Sequence, residues 1–180
     1  MHKMTSANLH NAYGGESMAY MRYQIWGNQA QQEGFANVAR LYRAISVAET
    51  IHATNHFMTL KDQTGDSLCN SAAVFGFAKT SQNLQGSIDG ETFEVNEMYP
   101  AYLATAKRQT EKGAERTFLY AMSAEKTHAT LFQKAKTAID GGKDMELGAV
   151  HVCPVCGWTH EGQTPEVCPI CGSKKFHTFA

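Results

Sequence analysis

Two short stretches, Ala48-Glu49-Thr50-Ile51-His52 and Ala124-Glu125-Lys126-Thr127-His128, decide the fold of this 180-residue chain. Each sets a Glu and a His three apart within a run whose apolar residues recur at helical spacing. Around the second, Phe118, Ala121, Glu125, His128, Phe132, Ala135 and Ile139 step by threes and fours, the seam of a helix bundle. Around the first, Val38, Leu41, Ile45, Ala48, Glu49, His52, His56 and Leu60 share one broad face. Residues three apart lie on the same face of a helix, so each motif aims a carboxylate and an imidazole at one point. With 12 Glu and 8 His in the chain, chance supplies about half of one such pair, so spacing alone is weak and register has to supply the rest.

Working outward, Leu9, Ala12, Glu16, Tyr20, Tyr23 and Ala30 mark a first helix. Glu94, Glu97, Met98, Ala101 and Ala104 mark another over roughly 90–112. Gly34 and Gly113 fall where two hairpin turns are expected. A Gly/Ser/Asn-interrupted stretch near 63–88 joins the hairpins, which predicts a mainly α protein, a four-helix bundle with one long crossover.

Counted from the turns, the acidic residues fall into layers. Glu49 lies 15 residues beyond Gly34 and Glu16 lies 18 before it, heights of about 23 and 27 Å. Glu125 lies 12 beyond Gly113, with Glu97 and Glu94 lying 16 and 19 before it, heights of about 18, 24 and 29 Å. Five carboxylates and two imidazoles in a bundle interior are prohibitive without compensation, since each isolated buried charge costs several kcal/mol. Two divalent metals bring four positive charges against five negative ones. The arrangement known from di-iron carboxylate bundles, one Glu from each of two helices and Glu-x-x-His from the other two, matches with one Glu to spare. His56 shares the seam but not the motif and reads as structural. Tyr23 and Tyr102, two turns beyond Glu16 and Glu94, are placed to pack beside the metals and bond carboxylates, or simply to fill the core.

The end of the chain differs in kind. Four of five cysteines stand in Cys153-Pro-Val-Cys156-Gly and Cys168-Pro-Ile-Cys171-Gly, 11 residues apart. Two such loops close a tetrahedron of thiolates, and the glycines let backbone N–H groups turn toward sulfur. Iron and zinc both suit four sulfurs, and zinc would make the tail a structural ribbon. Gly141-Gly142-Lys143-Asp144 reads as the linker, dividing a bundle of residues 1–145 from a tail of 146–180. Cys69, alone in the crossover, reads as a packed small residue.

Composition narrows the classes further. Hydrophobic residues make up 43% and the net charge is −1, with no basic patch for nucleic acid. No apolar run approaches the ~18 residues of a membrane span. The opening MHKMTSANLH lacks the hydrophobic core of a signal peptide, so a soluble, cytoplasmic protein is expected.

Taken together, the sequence resembles the rubrerythrins, a ferritin-like di-iron bundle followed by a small rubredoxin-like metal-bound domain of strands and loops. The resemblance spans essentially the whole chain: Gly-Glu-Ser at 15–17, the two Glu-x-x-His stretches, Glu-Val-Asn-Glu-Met-Tyr-Pro at 94–100 and both cysteine loops, in that order. It implies two irons bridged by Glu49 and Glu125. Glu16, Glu97 and His52 would serve one, Glu94 and His128 the other. One iron would move between Glu97 and His52 on redox change, and Cys153, Cys156, Cys168 and Cys171 would hold a third. The activity implied is reduction of hydrogen peroxide to water, with electrons from rubredoxin or an NAD(P)H-dependent reductase passing through the cysteine site. The 11-residue spacing is one shorter than in many members, which bears on a surface loop more than on the ligands. A bundle about 40 Å long would hold the two centres of one chain apart; hence a homodimer, domain-swapped or not, is expected. The competing readings are a ferroxidase on the same bundle and a zinc-ribbon interaction module on a structural one.

Overall fold

The computed structural model describes residues 1–72 and 74–180. Helices α1 (Lys3–Gln32) and α2 (Ala36–Thr59) form the first hairpin, turning at Gly34 with φ 89°. The third rod is continuous but not uniform: α3 (Thr80–Phe93) runs through a π-helical turn (Glu94–Met98) into α4 (Tyr99–Arg108). Helix α5 (Lys112–Asp140) completes the bundle.

Three stacked layers build the interior. At one end Tyr23, Trp26, Tyr42, Leu84 and Phe132 form an apolar plug, with Tyr23 and Phe132 ring centroids 5.1 Å apart, edge to face. At the other, Leu9, Met98, Tyr99, Ala106, Phe118 and Ala121 form a second. Glu16, Glu49, His52, Glu91, Glu125 and His128 lie between them, all buried. The apolar plugs carry the folding energy, so the middle layer can be polar.

The crossover is shorter than expected. Residues 80–88 are helical despite their Gly, Ser and Asn, because small side chains let other parts of the chain press close. A Cβ at Gly86 would stand 3.0 Å from Val74 and 3.3 Å from Trp26. Cys69 is exposed rather than packed, its Cβ lying over Gly14. The second hairpin turns at Thr110, with φ 56°, and not at Gly113, which lies inside the first turn of α5.

Beyond α5 the chain turns back on its own bundle. Asp144 accepts hydrogen bonds from the Asn37 and Val38 backbone N–H groups at 2.8 and 3.3 Å, capping α2 from outside it. Met145 enters the first plug. Strands β1 (Val150–Val152), β2 (Thr159–Glu161) and β3 (His177–Phe179) form an antiparallel sheet in the order β2-β1-β3. Val150 and Val152 pack on Ala44 and Ala48 of α2, and Arg40 donates to the Leu147 carbonyl at 2.7 Å. Within one chain, the tail therefore lies against the middle of its own bundle. Among the described residues no helix is long and apolar enough to cross a membrane.

Candidate metal centres

Two four-residue clusters sit in the middle layer and share two members. Glu16, Glu49, His52 and Glu125 form one; Glu49, Glu91, Glu125 and His128 form the other. Glu49 and Glu125 each turn one oxygen to each histidine. His52 Nδ1 lies 2.7 Å from Glu125 Oε1 and 3.0 Å from Glu49 Oε2. His128 Nδ1 lies 2.6 Å from Glu125 Oε2 and 3.5 Å from Glu49 Oε1. Glu16 and Glu91 close the two sets at 3.8 and 3.7 Å from His52 and His128 Nδ1.

One ring nitrogen cannot satisfy three carboxylates, and the surplus is visible. Glu16 Oε2, Glu49 Oε1, Glu91 Oε2 and Glu125 Oε1 are buried without a hydrogen-bond partner. Such orphans are costly, and a divalent cation within each cluster removes the cost. The residues fit a metal pair.

The outer nitrogens set the histidine tautomers. His52 Nε2 meets the Cys156 carbonyl at 3.1 Å, so it must donate. His128 Nε2 lies 3.0 Å from Thr159 Oγ1, whose hydroxyl donates to the Gly157 carbonyl, so this nitrogen donates too. Nδ1 is then the atom of each ring left for a metal, and without one it carries the second proton and donates to the carboxylates.

Protonation follows position. Burial opposes charge on Glu125, yet His52 and His128 hold it well below the carboxylate range, and hydrogen bonds from the same rings lower Glu49 against burial and the Glu125 charge. Burial likewise opposes charge on His52 and His128, but the carboxylates around them, Glu125 foremost, hold both well up. Glu16, Glu91 and Glu94 are pushed up by burial first and by neighbouring carboxylates next. Without metal, protons stand in for the cations.

Glu97, placed among the ligands by sequence reasoning, is exposed on the outer side of the π-helical turn, and Glu91 occupies the cluster instead. Glu91-x-x-Glu94 and Glu94-x-x-Glu97 have the same spacing, and two local features choose between them. The π-helical turn adds a residue to one turn of helix, which brings Met98 and Tyr99 inward and rotates Glu97 out. Relocating the hairpin turn from Gly113 to Thr110 moves every height by three residues. Glu125 then lies 15 beyond its turn, as Glu49 does, with Glu94 and Glu91 lying 16 and 19 before. Glu94 is partly buried; its charge is the strongest carboxylate influence raising Glu16.

The tyrosines are partly reassigned. Tyr23 donates to Glu91 Oε1 at 2.5 Å. Tyr102 packs against Tyr99 and Phe118, and it is Tyr99 that donates to Glu16 Oε1. His56 is buried, bonded to Tyr99 and Thr117, with Glu16 Oε1 at 3.8 Å.

In the tail the four sulfurs lie within 4.8 Å of one another, with Cys153–Cys171 and Cys156–Cys168 at 3.4 and 3.5 Å. A tetrahedral site with metal–sulfur bonds of about 2.3 Å has edges of about 3.8 Å, so the set fits a single ion. The Cys156 thiol donates to Cys153 and holds it down at about 4, and Cys156 is pushed well up by the same bond. The two loops turn at Gly157 and Gly172, with φ 78° and 77°. Gly157 also faces the bundle, where a Cβ would stand 2.1 Å from His52 Nε2. Only glycine lets the cysteine loop touch this histidine.

Comparison with known proteins agrees with both halves. The rubrerythrin family model matches residues 7–136, and the rubrerythrin rubredoxin-like domain model matches 151–177. The chain belongs to the rubrerythrin family. It is 52% identical over 172 residues to rubrerythrin-2 of Clostridium acetobutylicum, covering 96% of this chain and 94% of that one. Nigerythrin of Nitratidesulfovibrio vulgaris is 31% identical over 167 residues, 93% and 81% of the two chains. A nigerythrin structure in its fully reduced, all-ferrous state superposes with TM-score 0.85 at 30% identity, covering 97% of this chain and 86% of that one. Rubrerythrin architecture accounts for the order of bundle, linker and cysteine tail.

Proposed function

We propose that this rubrerythrin is a non-haem di-iron peroxidase that reduces hydrogen peroxide to water in the cytoplasm, receiving electrons through its four-cysteine tail. The observation that carries the reading is the 3.1 Å contact between the Cys156 carbonyl and His52 Nε2, which joins the cysteine site to the carboxylate layer within one chain. Glu49 and Glu125 would lie between two irons, with Glu16, His52 and Glu94 on one side and Glu91 and His128 on the other. A pair of ferrous ions held there would supply the two electrons that cleave an O–O bond, and an iron held by the four cysteines would replace them singly.

The chain's own residues do the rest. Tyr23 and Tyr99 hold Glu91 and Glu16 in place. The two apolar plugs keep bulk water from the layer and lower the local dielectric, which strengthens every charge interaction there. Glu94 is reached from outside through a cavity of about 360 Å³ walled by Arg22, Val74, Gly90 and Phe93, wide enough for a small oxidant. Rubredoxin or an NAD(P)H-dependent reductase is the proposed donor to the tail. Pairing of two chains belongs to the same proposal: Met18, Met21, Ile25, Val74 and Phe75 leave exposed apolar surface around a cavity of about 530 Å³.

Iron analysis and a visible spectrum test the metals, a zinc tail being colourless. Turnover of peroxide with NADH, reductase and rubredoxin, set against turnover of Fe(II) with oxygen, tests the reaction. Faster Fe(II) oxidation than peroxide reduction would make the protein a ferroxidase. Sedimentation equilibrium tests pairing, which Phe75→Asp should weaken.

A further inference from the structure

We propose that Thr117, His56 and Tyr99 form a proton-delivery path from a surface cavity to Glu16, an inference resting on the peroxide-reducing reading above. Converting hydrogen peroxide to two waters consumes two electrons and two protons. The cysteine tail accounts for the electrons alone, and a proton route separate from the oxidant's cavity at Glu94 has to cross the apolar plug that Leu9, Phe118 and Ala121 help to form.

A line of hydrogen bonds crosses that plug. The Tyr99 hydroxyl donates to Glu16 Oε1. With its proton committed there, the Tyr99 oxygen accepts from His56 Nε2, 3.0 Å away. The His56 proton is thereby fixed on Nε2, and the Nδ1 lone pair accepts from Thr117 Oγ1 at 3.0 Å. Thr117 lines a cavity of about 500 Å³ between α2, α5 and Val155, with Lys61 and Arg116 on its wall. Every donor points inward, and one tautomer satisfies all three bonds. Nε2 carries the ring's one proton and Nδ1 accepts, so the imidazole in this line is neutral at rest. Apolar residues would fill these two positions without the cost of burying an imidazole and a hydroxyl.

The transfer balances atom by atom. A solvent proton bonds to Thr117 Oγ1 as the Thr117 proton passes to His56 Nδ1. The His56 Nε2 proton passes to the Tyr99 oxygen, and the Tyr99 proton passes to Glu16 Oε1. Each intermediate residue gains one proton and loses one, His56 gaining at Nδ1 and losing at Nε2, for a net delivery of one proton. Hydroxyl rotation and a tautomer change reset the line, and two passages supply one peroxide.

Zinc-loaded, ¹⁵N-labelled protein gives a test that needs no turnover. Solvent exchange of the His56 Nε2–H, followed by NMR, should be alike in wild type and Thr117→Ser and about tenfold slower in Thr117→Val, which keeps the shape and loses the hydroxyl. Equal exchange in all three overturns the path. In iron-loaded, prereduced protein of matched iron content and midpoint potential, Thr117→Val should slow single-turnover oxidation by peroxide by about tenfold or more and raise the solvent isotope effect, with Thr117→Ser near wild type. Full-rate oxidation in Thr117→Val with an unchanged isotope effect also overturns it. If wild type itself does not reduce peroxide, the functional reading falls while the exchange measurement still decides whether protons pass through Thr117.

Discussion

Bundle and tail gather their ligands by opposite means. In the bundle, two apolar plugs fold the helices and force a charged layer between them, so the site is a burden that the fold sustains. In the tail, some thirty residues offer only partly buried Trp158, Ile170 and Phe176 around the sulfurs. There the ion would be the core itself. One domain tolerates its metals and the other would be assembled by them.

The sharpest break between the two is metal removal. Chelation at neutral pH should unfold the tail and leave the helices, because a structural metal–thiolate site contributes on the order of 10 kcal/mol of folding energy to so small a domain. Far-UV circular dichroism should change little while tail amides lose protection from exchange; retained protection would show that the tail folds unaided. Next in size is Gly157→Ala, which puts a methyl into His52 in a backbone conformation that itself costs about 1–2 kcal/mol for an L-residue. The tail should lift from α2, read as faster exchange at Val155–Trp158 with the bundle unchanged.

Within the bundle, Glu91→Gln should weaken metal binding by about tenfold or more, whereas Glu97→Gln should leave it alone, as titration calorimetry can establish. The metal-free bundle should also lose stability as pH rises above about 6.5, where unfolded histidine is neutral. The raised His52 and His128 contribute stability that is complete below that pH and fades as pH climbs through their folded values. The raised Glu16, Glu91 and Glu94 act in the same direction. Metal must displace these protons, so its affinity should rise with pH over the same window, and melting curves with and without metal should diverge. The smallest effect belongs to the surface: Lys134→Ala removes the 2.6 Å pair with Glu161 and should cost under about 1 kcal/mol.

Much of this was legible in the sequence because most of it is periodic. Glu16, Glu49, His52, Glu125 and His128 meet because steps of three and four keep a face, and the cysteine loops declare themselves by spacing. Glu91 was hidden by two features without a periodic signature: a π-helical turn at Glu94–Met98 and a turn at a threonine, not a glycine. Tyr99 was passed over for Tyr102 for the same reason, since the added residue changes which tyrosine faces Glu16. The return of the tail to its own bundle depends on Asp144 capping α2, a contact between residues more than a hundred positions apart.

That cap has a kinetic consequence. On the electron route proposed above, tail and bundle tethered through a fixed corner meet at a frequency set by the linker, not by how many molecules share the solution. Diluting the protein should therefore leave the internal transfer rate where it was, while any step needing an outside reductase slows in proportion.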